Sequence, residues 1–437
     1  MNTEQYIPSE TARPLHAFPR PKPELLAPAG GMDQLRYALY YGADAVYLAA
    51  DRFGLRQRAS NFSLDDIPSA VSFAHDYGAK VYVTCNVLME SADLKVLPGY
   101  LEALQDAGAD AVIVSDLGAL SLARRHAPKL AVHVSTQASV ANAESARVWH
   151  ELGASRIVCA REMSVDDIAD MRAHIPNDLE LEVFVHGAMC MAVSGRCLIS
   201  DYLAGRSGNK GNCTQPCRWN YRMEYRVEEE YRPGEWMPVD EDERGSYLFN
   251  ARDMNMLAHV DDLCAAGVDS LKIEGRNKKA FYVATVVNAY RQVLDGADPA
   301  LFEPELETIS HRPYSTGFYY GRGKQAPEQD GYVQTHLHAA TVEACTPCGD
   351  GVWRAQARCH NRFCEGDAVE IISPRQPIRS VEVRNLQLLH RDEDGTSGEW
   401  AEKVPVANRS MEIYAFDAPF ELRKHDLLRI RKNGAAV

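Results

Sequence analysis

The 437-residue chain has no run of eighteen apolar residues, so no segment reads as a membrane-spanning helix. Its first stretch, MNTEQYIPSETARPLHAFPRPKPE, has neither the apolar centre nor the cleavage site of a secretory leader. Residues 1–22 read instead as a proline-rich, loosely ordered lead-in. Common catalytic signatures are missing as well. His150 and Glu151 begin an HExxH pattern, but Ala154 stands where the second histidine would be. There is no GxSxG elbow and no CxxxCxxC run, and the glycines of APAGGMDQL do not form GxGxxG. Positive charge is scarce: 47 Lys and Arg against 61 Asp and Glu give a net charge of −14. Such a balance argues against a generally basic nucleic-acid binder. The eleven cysteines are an odd number without a leader, which argues against a disulfide framework and for the reducing cytoplasm.

A repeat organises the first three hundred residues. GADAVYLA starts at Gly42, GADAVIVSD at Gly108, GASRIVCARE at Gly153 and GVDSLKIEGR at Gly267, each after a helix-like stretch. A helix that stops at glycine and turns into a short β-branched run is half of a βαβ unit. Further strand candidates, at 24–30, 80–86, 130–137 and 179–186, raise the number to eight. Eight such units predict an α/β fold, a (β/α)8 TIM-like barrel over residues 23–330. Asn277–Gly296 reads as an amphipathic helix after the last strand. From residue 331 to 437 the pattern shifts to short strand-like runs, which predict a small all-β barrel domain. The intervening SHRPYSTGFYYGRGK, rich in aromatics, reads as a domain junction, with base stacking as the competing use.

In a barrel, strand parity separates an outer apolar face from an inner one that builds the site near the C-terminal strand ends. LAVHVSTQ then turns His133, Ser135 and Gln137 inward, SLKIEGR turns Lys272, Glu274 and Arg276 inward, and LELEVFVH turns Glu182 and His186 inward. Glu182, His186 and Glu274 are candidate proton-transfer groups, while His133, Gln137, Lys272 and Arg276 are candidate substrate ligands. The competing assignment is a structural ion pair of Lys272 with Glu182 or Glu274.

Cys190, Cys197, Cys213 and Cys217 follow within a Gly-, Ser- and Asn-rich loop spanning 187–226. Their gaps of six, fifteen and three residues fit zinc's paired spacing poorly, but one loop delivering four thiolates can close around a soft metal or iron–sulfur cluster. Unliganded thiols are the bland alternative. The segment from Cys190 to Arg226 carries six cations, including Arg196, Lys210 and Arg218, against two anions. A basic mouth on an acidic body suits phosphate contacts, and solvated loop charge is equally compatible. In the C-terminal part, Cys345 with Cys348 and Cys359 with Cys364 form two close pairs, which gives zinc as a secondary expectation.

EVFVHGAMCMAVSGRCLIS (182–200), CTQPCRW (213–219), SLKIEGR (270–276) and SHRPYSTGFYYG (310–321) resemble the blocks of family thirty-two of the peptidases of unknown catalytic type, the collagenase-like family. The likeness is strongest to its shorter bacterial members, which act on tRNA. It implies an oxygen-independent hydroxylase that forms 5-hydroxyuridine at the tRNA wobble position, with prephenate as a requirement. It also implies a four-iron (4Fe–4S) cluster on cysteines of this motif, loaded by the iron–sulfur assembly machinery. Some relatives take a ligand from a KDLC-type segment. Here that place reads ARDMNML with Met254, which leaves Cys217 as the fourth ligand. Peptide-bond hydrolysis is the rival implication, and a cluster-bearing partner-binding module is a third.

Overall fold

The computed structural model describes residues 21–55, 61–189, 197, 200, 204–216, 252–321, 332–390 and 400–432, with short strand backbones within 227–247. Eight parallel strands close into the expected barrel: β1 (Glu24–Pro28), β2 (Ala45–Leu48), β3 (Lys80–Cys85), β4 (Ala111–Val114), β5 (Ala131–Val134), β6 (Arg156–Val158), β7 (Glu180–Ala188) and β8 (Ser270–Ile273). Each pairs with the next, and β8 pairs with both β7 and β1. Helices α1 (Met32–Tyr40), α2 (Ile67–Asp76), α3 (Ser91–Asp106), α4 (Leu117–His126), α5 (Ala143–Glu151), α6 (Val165–His174), α7 (Val260–Ala265) and α8 (Ala280–Leu294) form the outer layer. The repeated glycines do what their positions predict. Gly42, Gly108, Gly153 and Gly267 have φ of 104°, 80°, 103° and 80°, so each takes the left-handed conformation that ends a helix before the next strand.

The outer strand faces join the helices in one large core that includes Leu25, Val81, Val112, Val132, Leu181 and Leu271. The interior differs from the usual Val/Ile/Leu filling. Leu26, Ala45, Tyr47, Tyr82, Ala111 and Ile113 make a small apolar cluster on one side, and charged side chains fill the other.

An antiparallel sheet of eight strands forms the C-terminal domain around its own core, which includes Val342, Phe363, Val369, Leu386 and Phe416. Its longest strands are β9 (His336–Gly349) and β10 (Val352–Cys359). Their register sets Cys345 opposite Ala355 and Cys359 opposite Ala340. Four rungs of the ladder, at about 3.3 Å each, therefore separate the two cysteine levels by roughly 13 Å. The Cys359 thiol is buried and points at the Asn361 carbonyl, while Cys345 accepts from the Leu422 N–H. Cys345, Cys348, Cys359 and Cys364 thus do not assemble the zinc site that their spacing predicts. No group of three or more metal-ligating side chains occurs among the described residues.

Helix α8 also departs from its expected pattern. Twelve of its fifteen residues are buried, because the barrel takes one face and α1 and the C-terminal domain cover the rest. Phe281 stacks on His338 at 5.4 Å, and the Tyr41 hydroxyl on neighbouring α1 donates to the Ile372 carbonyl at 2.7 Å. Arg429 reaches from the sheet to Glu305 (3.0 Å) on the barrel side while also holding Glu370 (2.6 Å). The 310–321 block packs on the barrel: the Tyr319 hydroxyl donates to the Phe184 carbonyl and Lys278 donates to the Ser310 carbonyl. Among the described residues no helix is long and apolar enough to cross a membrane.

Candidate active site at the barrel mouth

The charged interior divides into a lower and an upper group. The lower group lies at the strand starts. Arg156 binds Glu24 (2.7 Å), Glu180 (2.7 Å) and Glu182 (3.1 Å), and Lys272 binds the other oxygen of Glu182 at 2.6 Å. Glu24 also accepts from Tyr82 and Ser270. Burial opposes ionisation of Glu24, but Arg156 and the two hydroxyls outweigh it and hold the carboxyl below its usual range. Glu182 is wholly buried, and two cations consume its charge. The structural ion pair weighed against a chemical role for Lys272 and Glu182 is therefore what the barrel contains. His133 stands above it, edge-on to Tyr82 at 4.6 Å. Burial, with Arg156 and Lys272 nearby, pushes its pKa well below the ordinary histidine value, and its Nδ1 has no hydrogen-bond partner.

His186 does not share the inward face of Glu182. The β7–β8 register runs Glu182 to Ser270 and Phe184 to Lys272, then shifts so that Ile273 pairs with His186. The extra residue, Val185, is a β-bulge, and it turns His186 to the outer side of the wall. There its ring lies between Tyr282, Tyr290 and Tyr314 at 5.3–6.0 Å. Burial, with His311 and Lys278 nearby, lowers its pKa to about 3, and the Asn255 side chain lies near the ring without completing a well-aligned hydrogen bond. Strict alternation could not reveal a one-residue insertion.

The upper group lies where the strands end. Glu274 follows β8 and binds Arg161, the residue of the CARE segment after β6, at 2.9 Å. Arg161 also donates to the Ala188 carbonyl and covers the Phe184 ring at 3.8 Å. Arg276 is buried against the Thr84 hydroxyl (3.3 Å) and the Leu55 carbonyl. Across the opening, Asn86 at the end of β3 donates to Gln137 Oε1 (3.0 Å) and Ser135 Oγ (3.1 Å). Of the residues expected at the mouth, Glu274, Arg276 and Gln137 are there. Asn86 and Arg161 join them without a sequence signal beyond their place at strand ends. Arg161, Arg276 and Glu274 bring charge of both signs to the described part of the rim.

The cysteine loop leaves β7 directly beside this rim. Cys190, Cys217, Arg196 and Arg218 lie outside the described residues. Cys197 and Cys213 are described, and Gly208 lies between the Cys213 side chain and the Cys197 backbone: a Cβ on that glycine would sit 3.4 Å from the Cys213 Cβ, 3.7 Å from its Sγ and 3.6 Å from the Cys197 carbonyl oxygen. Neither thiol lies in an apolar core, and the Gln215 N–H donates to Cys213 Sγ at 3.3 Å. Two sulfurs from a polar loop, one of them receiving a backbone N–H, fit the donor set of an iron–sulfur cluster. Lys210 fastens this loop to the mouth by binding Asp93 (2.8 Å) and Glu90 (3.3 Å), where α3 begins. Asn86 lies only four residues before Glu90. That tether occupies one of the loop cations expected to meet phosphate.

Residues 30–329 match the family model described as Peptidase family U32. The chain is 37% identical to "tRNA hydroxylation protein P1" of Bacillus subtilis, covering 93% of this chain and 94% of that protein. It is 35% identical to "tRNA hydroxylation protein P" of Escherichia coli, covering 82% and 87%. A longer Escherichia coli protein, "23S rRNA 5-hydroxycytidine C2501 synthase", is 36% identical over 68% of this chain and 45% of its own length.

Proposed function

Because the chain belongs to peptidase family U32, with relatives named for hydroxylating tRNA and rRNA, we propose that it is a cytoplasmic tRNA-modifying enzyme converting the wobble uridine to 5-hydroxyuridine. One observation carries this reading. The loop that carries Cys197 and Cys213 is tied by Lys210 to Asp93 and Glu90, a few residues beyond Asn86 at the mouth, so the cysteine loop and the polar rim are neighbours. Cys190, Cys197, Cys213 and Cys217 would hold the 4Fe–4S cluster, which when bound supplies electron transfer at that rim. Replacing C5–H by C5–OH is a two-electron oxidation, so it needs an oxygen source and a two-electron acceptor besides the base, and the family resemblance gives prephenate as a requirement.

The chain's own groups fit the remaining tasks. A wobble base is single-stranded and can be swung out of its loop into a pocket. Arg276 and Arg161 favour an anion, either an RNA phosphate or a co-substrate carboxylate. Glu274, held by Arg161 at the rim, would accept the proton leaving C5. Glu182 and His186 have no part in this step, being respectively ion-paired inside the barrel and turned outside it. The same positions weaken the peptidase reading, since His186 faces tyrosines rather than the mouth.

The test is nucleoside mass spectrometry of tRNA from a strain lacking this gene and any related hydroxylase. Wild-type protein is expected to restore 5-hydroxyuridine-derived nucleosides, and Cys213→Ser is not. An unchanged nucleoside profile in the deletion strain would overturn the reading.

A further inference from the structure

Three side chains at the mouth form a relay of fixed polarity. The Leu55 backbone N–H donates to Asn86 Oδ1 at 3.3 Å, and this end cannot reverse because a backbone amide has only a proton to offer. The Asn86 amide is thereby oriented with Nδ2 towards β5. That nitrogen donates to Gln137 Oε1 and to Ser135 Oγ, and the Ser135 hydroxyl in turn donates to Gln137 Oε1. The oxygen of Gln137 is thus taken twice, and its Nε2 has no partner among the described residues. Gln137 is half-buried beyond the end of β5, so the unused corner of its amide is a donor presented to the opening.

Resting on the proposed uridine hydroxylation, we propose that Gln137 reads the substrate base by donating to the C4 oxygen of the pyrimidine, and that Asn86 is the positioning residue setting this polarity. The chemistry follows from where the reaction occurs. C4 is the ring neighbour of C5, so its exocyclic group enters the mouth with the reacting carbon. Uracil carries there an oxygen, which accepts, and cytosine an amino group, which donates. A fixed donor gives its proton to the first and meets the second proton to proton. The relay therefore discriminates without a charged group, and its sign is written in the Leu55 backbone N–H.

The experiment measures anaerobic binding of the cluster-loaded protein to two anticodon stem-loops that differ only in U or C at the wobble position. Wild type is expected to prefer the U stem-loop by about tenfold, the effect of one hydrogen bond gained against one lost. Gln137→Met should bring the ratio to about one. Asn86→Asp offers an acceptor where Nδ2 was, so the Gln137 amide turns over, presents Oε1, and the preference inverts. The ratio cancels any general loss of affinity from imperfect folding. A wild-type ratio retained by both variants would overturn the inference while leaving hydroxylation standing. No binding of either stem-loop by wild type would instead remove the RNA reading, and this inference with it.

Discussion

His186 lies opposite Ile273 in the β7–β8 ladder, one step earlier than alternation from the Glu182–Ser270 pair would place it. That single inserted residue decides which histidine can take part in chemistry at the mouth. The Val185 carbonyl accepts from both the Met256 N–H at 3.0 Å and the Tyr290 hydroxyl at 2.7 Å.

A buried imidazole whose polar support is limited to the Asn255 side chain should be a liability, and its removal should show as stability. The His186 pKa falls from 6.5 to about 3, mainly through burial. Between those values the unfolded chain binds a proton that the folded chain refuses, so stability is full above pH 6.5 and declines as pH drops through the window. The slope is about 1.4 kcal/mol per pH unit for one group. His186→Phe is expected to keep or raise the Tm at pH 7 and to flatten acid denaturation between pH 6.5 and 4. A lowered Tm at pH 7 would count against a weakly partnered ring.

Removing Glu182 should leave two cations facing each other in the barrel. Glu182→Leu is expected to cost about 3–5 kcal/mol in denaturant unfolding, the usual penalty for breaking one side of a buried pair. Adding Lys272→Met should recover part of that loss, since the uncompensated ammonium goes with it. A double variant no more stable than the single one would show that Arg156 dominates.

Gly208 offers a graded probe of the cysteine loop. Its Cβ would meet neighbours at 3.4–3.7 Å, ordinary contact, so Gly208→Ala should retain iron. The branched Gly208→Val should displace Cys213 and lower iron per chain by at least about half, against near-complete loss for Cys213→Ser. Equal iron in all three would refute Cys213 as a ligand.

The junction should be separable by charge. Arg429 is buried between Glu305 and Glu370, so Arg429→Met is expected to cost about 3 kcal/mol in denaturant unfolding. Unchanged stability would place the domain attachment in the aromatic contacts instead.

The barrel was legible because its glycines punctuate the chain: four repeats fixed four helix–strand turns, and the alternating strands between them completed the count. Charge inside the barrel was legible at Lys272 and Glu182, polar residues on otherwise apolar strands. Its purpose was not, because partner choice depends on which strands adjoin, and Arg156 sits in a segment with no such alternation. Asn86 and Arg161 escaped notice as single polar residues at strand ends, where any polar residue is unremarkable. The C-terminal cysteines misled because spacing along a chain ignores the antiparallel register that separates them.

Helix α8 has a consequence for how the chain is made. Its outer face is covered by sheet residues that lie up to about a hundred positions later, His338 and Arg375 among them. While the ribosome is still adding those residues, at roughly 5–20 per second, the barrel is otherwise complete but its last helix is bare on one side. For those several seconds the nascent protein displays an apolar stripe that the finished one never shows. Synthesis, rather than equilibrium, is when this fold most needs shelter.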